Sequence, residues 1–350
     1  MSQALGGREL TSLPKAHLHL HFTGSMRPDT LVEMADARGV ALPSALRENR
    51  GLHLTSDARG WFRFQRLYDA ARSVVRDEHA MRRIVHEAAE DDAAEGSGWL
   101  ELQVDPTSYA PFVGGLTAAL EIVLDAAREA TRSTGTQVAI VVAASRIRHP
   151  LDARTLARLA ARYAGEGPGS VVGFGLSNDE RRGWTSDFAP AFDIARRAGL
   201  ASVPHSGELL GPDHVEVTLD HLAPDRIGHG VRSAEDPKVL DRLVQRQVAL
   251  EVCPASNVAL GVYGTAAEVP LRTLLEAGAV MALGADDPLL FGTRLVDQYA
   301  IAREEHGLDD PELAALARGS VLASRAPQAD RQRLLDGIDD WLSAPASTAT

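Results

Sequence analysis

The sequence predicts an α/β fold, with eight parallel strands closed into a (β/α)8 barrel and a helical insertion after the first strand. Short apolar runs alternate with segments of helical periodicity along most of the chain, and that alternation implies a parallel sheet. Some runs, such as Val138–Ala144, are apolar at every position, as strands covered on both faces are. Residues able to do chemistry fall at the C-terminal ends of the runs, where a TIM barrel builds its site.

At 350 residues the chain has the length of one large α/β barrel. No fixed-period repeat and no linker rich in Pro, Gly or Ser divides it, so residues 8–341 are expected to form one unit. The hydrophobic fraction of 45% allows a sizeable core. With 48 acidic against 36 basic residues the net charge is -12, which argues against nucleic acid as a partner and favours a small, uncharged or weakly charged substrate. Cys253 is the only cysteine, which excludes an internal disulfide and a thiolate-rich zinc site. No basic leader and no run of some eighteen apolar residues is found, so no membrane span is expected and the cytoplasm is the default location.

The organising stretch is Pro14–Arg27, PKAHLHLHFTGSMR. There His17, His19 and His21 alternate with Leu18 and Leu20, which as a strand puts three imidazoles on one face. Gly24 permits a turn, and Pro28 opens a helix that closes near Gly39. Residues 41–96 keep a helical pattern and form the insertion. Within it Trp61, Phe62, Phe64, Leu67 and Tyr68 make an apolar cluster, read as core or as a lid over a pocket. Further strands follow at Trp99–Val104, Val138–Ala144, Val171–Leu176, Leu200–His205, Arg226–His229, Val248–Cys253 and Ala279–Gly284, with helical segments between them. The small, polar residues 343–350 are expected to be a disordered tail.

Reading the strand ends gives one set of candidates: the strand-one histidines, His205 and Glu208 in HSGE, His229 in GHG, Cys253 and Asn257 in CPASN, and Asp286 and Asp287 in GADDP. Any one has an innocent reading as a turn or a cap; their agreement on one rim does not. Two histidines from strand one, one from strand five and a carboxylate from strand eight would hold one zinc ion and leave room for water. Strand spacing alone does not say which two of the three strand-one histidines bind. Water on zinc has a pKa near 7, and His229 is placed to orient it or take its proton.

These residues resemble the adenosine deaminase family of the amidohydrolase superfamily. PKAHLHLHFTG, HSGE, RIGHG, CPASN and DDP occur in that family's order across residues 14–288. The resemblance implies one zinc ion per chain held by His19, His21, His205 and Asp286. It also implies Glu208 as the acid at purine N1, His229 as partner of the attacking hydroxide and Asp287 facing N7. The fourth strand ends without a lysine or acid, which speaks against a bridged two-metal site. The implied reaction is deamination at C6 of a 6-aminopurine nucleoside, with Thr23, Gly175, Asn178, Phe62 and Asp287 as substrate contacts.

Three positions depart from the family pattern. His17 stands where the family has Glu, Asn178 where it has Gly, and Thr23 where an aspartate holds the ribose 5′-hydroxyl. Losing that carboxylate removes discrimination for the hydroxyl. A 5′-modified adenosine such as 6-aminodeoxyfutalosine, an intermediate of menaquinone biosynthesis, is therefore the expected substrate, with Arg63, Arg66, Arg146 or Arg148 as candidate partners for its carboxylate. The alternatives are adenosine itself, adenine, another amino-heterocycle, or a catalytically silent nucleoside-binding barrel. The sequence leaves the oligomeric state open.

Overall fold

A computed structural model describes residues 7–48 and 51–345. Eight strands lie parallel in the order of the chain: β1 Lys15–His21, β2 Ser97–Val104, β3 Gln137–Ser145, β4 Val171–Ser177, β5 Ala201–Ser206, β6 Arg226–His229, β7 Ala249–Val252 and β8 Met281–Leu283. The ring closes where β1 meets the chain just past β8. The His21 N–H donates to the Asp286 carbonyl and the Asp286 N–H to the His19 carbonyl, both at 3.0 Å. This is the expected (β/α)8 architecture, and the closing bonds tie the histidines of β1 to the acids after β8.

The region 41–96 carries helices Ser44–Arg47, Ala58–Arg72 and Glu78–Ala94. Asp57 caps the second by accepting from the Gly60 N–H at 2.8 Å, and Asp77 caps the third through Ala80 at 2.8 Å, as short acceptors at N-caps do. Four helices follow β8 among the described residues, Pro288–Phe291, Leu295–Glu304, Asp310–Ala323 and Gln328–Ser343; the expected alternation calls for helix after the last strand but does not bound it. Asp310–Ala323 packs on the β1–β8 seam, where Ser320 Oγ accepts from the Ala16 N–H at 3.0 Å. Gly319 is required there, because a Cβ would lie 2.5 Å from the Met281 carbonyl oxygen. Ser343, the first residue of the expected tail, is the last of the final helix, and 346–350 lie outside the described residues. No helix among the described residues is long and apolar enough to cross a membrane.

Apolar side chains between strands and helices form the core, Leu18, Leu100, Val142, Phe174 and Leu250 among them. The barrel interior is different. Lys15, His17, His19, Glu101, Arg226 and Glu251 are all nearly or fully buried, and such groups persist only when paired. Much of the site's geometry follows from that polar interior.

Candidate active site

The period of two in β1 turns His19 and His21 to the C-terminal rim, where they meet groups from three other strands. His21 Nε2 lies 3.2 Å from His205 Nε2 and 3.3 Å from Asp286 Oδ1. His19 Nε2 is 3.7 Å from the same Asp286 oxygen. His229 Nε2 stands 3.6 Å from Glu208 Oε1 and 3.9 Å from Asp286 Oδ2. Asn178, His229 and Asp286 hold φ values of 79°, 64° and 61°, left-handed backbone that is uncommon away from glycine and concentrates at functional sites. Two glycines make room: a Cβ on Gly228 would fall 2.9 Å from His19 Cε1, and one on Gly284 2.7 Å from His19 Cβ.

The donor set fits a metal ion. Nitrogen and oxygen ligands at about 2.0–2.1 Å around a tetrahedral centre stand roughly 3.3 Å apart, close to the separations of His21 from His205 and from Asp286. His19 Nε2 is buried without a hydrogen-bond partner, while His19 Nδ1–H donates to Glu251 Oε2 at 2.8 Å. A carboxylate behind an imidazole fixes the tautomer and aims the free nitrogen at a metal. Distance alone also groups His229 with His19 and His205. Cys253 Sγ lies near the cluster too, but burial holds its thiol well above the usual range, which makes it a poor ligand.

Burial sets the charges. It raises the Glu208 carboxyl well above the usual range, helped by Asp286, Glu180 and Asp287, and it does the same to Asp287, with the charge of Asp286 adding to it. Asp286 goes the other way: burial raises it, but the hydrogen bond to His21 and the surrounding imidazoles win, holding the carboxylate low. Burial lowers His205, with His19 and His21 adding to the effect, and brings His229 to about 3. Two carboxyls shifted upward thus sit beside one shifted downward, a divergence typical of acid–base sites.

A cavity opens on this cluster, and Glu208, His229, Asp286 and Asp287 line it with His21 and His205. Its opposite wall comes from the helix Ala58–Arg72 through Trp61, Phe64, Gln65, Tyr68 and Arg72. The insertion therefore covers the site, and its aromatic cluster serves the cavity as well as the core. Four of the expected contacts are placed off the cavity lining. Phe62 is 61% exposed and turns away from the cavity, because the lining face runs through 61, 64, 65, 68 and 72. Gly175 is absent from the lining; it lets β4 pass the Val203 carbonyl, which a Cβ would approach to 3.1 Å. Thr23 is fully buried and its hydroxyl meets the Tyr109 hydroxyl at 2.5 Å, so Tyr109 lines the cavity in its stead. Of the arginines, Arg63, Arg66 and Arg148 are exposed and Arg146 donates to the His205 carbonyl; the cavity's guanidinium is Arg72. Asn178 lines the cavity as expected.

His17 lies away from the cluster. Its Nδ1–H donates to Asp92 at 2.9 Å and its Nε2 accepts from the Ala285 N–H at 3.0 Å, which makes it a strut between the helix Glu78–Ala94 and the chain after β8. Sequence reasoning missed the groups behind the imidazoles. Glu251 links His19 to Arg226, whose Nε donates to Glu251 Oε1 at 2.6 Å and whose NH2 pairs with Glu101. The available signal was a charge inside an apolar strand, in WLELQV, RIGH and VALEVC.

A parallel (β/α)8 barrel that gathers imidazoles and carboxyls on its C-terminal rim has the architecture of a hydrolase of the amidohydrolase type. The family model described as adenosine deaminase matches residues 14–341, and the chain belongs to that family of deaminases, hydrolases of C–N bonds. It is 63% identical over 343 residues to a putative adenosine/adenine deaminase of Streptomyces coelicolor, covering 96% of this chain and 99% of the relative. An adenine deaminase of Agrobacterium fabrum is 35% identical, covering 94% and 98%. An aminodeoxyfutalosine deaminase of Streptomyces avermitilis is also 35% identical, covering 97% and 95%. Among solved structures, an adenine deaminase from Arthrobacter aurescens superposes with a TM-score of 0.86 at 30% identity, covering 95% of this chain and 99% of that one.

Proposed function

We propose that this chain is a zinc-dependent aminohydrolase that replaces the 6-amino group of a purine by oxygen, with His19, His21, His205 and Asp286 as the metal ligands. Bound there, zinc supplies a Lewis acid that makes water nucleophilic near neutral pH. Protonated Glu208 gives its proton to N1, which draws electrons from C6. Asp287, also protonated, donates to N7. His229, neutral and 3.6 Å from Glu208, takes one proton of the attacking water and passes it to the departing amine. The other water proton returns to Glu208, and ammonia leaves. The observation that carries this reading is geometric: Glu208, His229, Asp286 and Asp287 line one cavity with His21 and His205, where His21 Nε2 stands 3.2 Å from His205 Nε2 and 3.3 Å from Asp286 Oδ1.

For the substrate we propose a 5′-modified adenosine, with 6-aminodeoxyfutalosine as the leading candidate. Thr23 offers a hydroxyl already engaged by Tyr109 instead of a carboxylate for a 5′-hydroxyl, and the Streptomyces avermitilis relative bears the name of that activity. Adenosine and adenine form the second reading, favoured by the 63% identity to a relative named for both. Loss of adenine absorbance, followed for adenine, adenosine and 5′-deoxy-5′-substituted adenosines, separates them. The highest kcat/KM is expected for a 5′-substituted nucleoside, and a strong preference for adenosine or adenine overturns the substrate proposal. Failure to release ammonia from any aminopurine, in an enzyme whose zinc content is verified, overturns the reaction as well.

A further inference from the structure

Two charged side chains beside the site take no part in the chemistry above. Arg146, just after β3, and Glu180, after β4, are each 2% exposed, and neither lines the cavity. Arg146 NH2 donates to the His205 carbonyl at 2.7 Å. Its NH1 donates to Thr185 Oγ1 at 2.9 Å, a hydroxyl 3.0 Å from His214 Nε2. His214 Nδ1 lies in turn 2.9 Å from Ser206 Oγ. The Glu180 carboxylate accepts three consecutive backbone N–H groups: Glu208 at 3.2 Å, Leu209 at 2.9 Å and Leu210 at 2.8 Å. Successive N–H groups converging on one anion form a nest, and bonds to a charged acceptor are the strong ones.

We propose that Arg146 and Glu180 are positioning residues that hold the HSGE segment from its two ends. Arg146 orients the peptide that follows His205. Glu180 fixes the backbone torsions of Glu208 and so aims its carboxyl at the reacting ring. The cost of burying two charges is met by bonds whose shared effect is the placement of one loop. This inference rests on reading Glu208 as the acid.

The test compares E180Q, E208Q and the double variant as zinc-loaded, full-length enzymes on the best aminopurine substrate. E180Q keeps the volume and one acceptor oxygen but sets an amide NH2 against backbone N–H groups. A misplacement of about 1 Å costs on the order of a hundredfold, so kcat of E180Q is expected to fall by about tenfold to a hundredfold with KM and zinc stoichiometry little changed. In the E208Q background the same substitution is expected to cost almost nothing, since two groups acting as one unit are not additive. Should E180Q fail to accumulate, E180D, which keeps the charge but falls one methylene short, carries the same comparison. An E180Q enzyme as fast as wild type, or one whose loss is repeated in full in the E208Q background, overturns the positioning role while leaving the acid assignment intact. An E208Q enzyme as fast as wild type overturns both.

Discussion

Gly24 offers a sharp test of the rim geometry, because the three atoms nearest a side chain placed there all belong to Asp287. A Cβ at this position would lie 1.8 Å from Asp287 Oδ1, 2.5 Å from its Cγ and 2.7 Å from its Cα. Ordinary van der Waals separation begins at 3.4 Å, so the carboxyl must retreat by roughly 1.6 Å. Rotation about the side-chain bonds leaves the clash with the backbone of Asp287 in place, and the chain between β8 and the helix Pro288–Phe291 must shift as well. A displacement of that size at a group aimed at the substrate costs on the order of a hundredfold in rate, or about 2.7 kcal/mol of transition-state stabilisation. Gly24→Ala is therefore expected to lose about two orders of magnitude in kcat/KM, read from the decay of adenine absorbance in enzyme whose zinc content is measured. A zinc-loaded Gly24→Ala enzyme with wild-type kcat/KM would refute the placement of Asp287 against the substrate.

Two further predictions concern the supporting network. Arg226→Met strips the cation from Glu101 and Glu251, both fully buried, and leaving buried charges unpaired costs about 3–5 kcal/mol; a loss below about 1 kcal/mol in denaturant titrations, the level of a surface pair, contradicts the pairing. The second concerns acid stability: burial, aided by the charge of Arg146, lowers His214 from 6.5 to about 4. The unfolded chain then takes up a proton below pH 6.5 that the folded protein refuses until about pH 4, so stability is full above that window and falls across it as the pH drops. The contribution is about 3 kcal/mol, and wild type and His214→Gln should diverge only in that range; parallel stability curves from pH 7 to pH 4.5 would sink the assignment.

The barrel was legible because buried strands and helices leave different periods in a sequence: β1 lies within the stretch Pro14–Arg27, and the other seven strands fall within about two residues of where those patterns place them. The rim was legible for a related reason. Histidines and acids at single strand ends have innocent uses as turns or caps, but the ladder carries all of these to one place. Phe62 shows where pattern stops being enough. Both faces of Ala58–Arg72 carry aromatic side chains, so composition could not say which face is covered; the polar residues Gln65 and Arg72 on the lining face register only once the cavity is seen. The candidate cations failed differently, since a guanidinium's partner lies wherever the fold brings a carbonyl, and for Arg146 that is His205, far along the chain.

The least legible part of the site is the part that orients it. A continuous line of hydrogen bonds and ion pairs runs from the Trp99 indole to Glu101, through Arg226 to Glu251 and on to His19, joining β2, β6, β7 and β1 across the barrel interior. Beyond the indole, each link is between residues distant in sequence, and Glu101, Arg226 and Glu251 are charges within fully buried or nearly fully buried strands. Taken singly, Glu101, Arg226 and Glu251 are faults in a buried strand. Taken together they exchange the cost of desolvation for a fixed tautomer on one imidazole, leaving His19 Nε2 as a lone acceptor aimed at the cluster. A charge interrupting a buried strand near a strand-end histidine is therefore informative, because only a partner brought by the fold can keep it there.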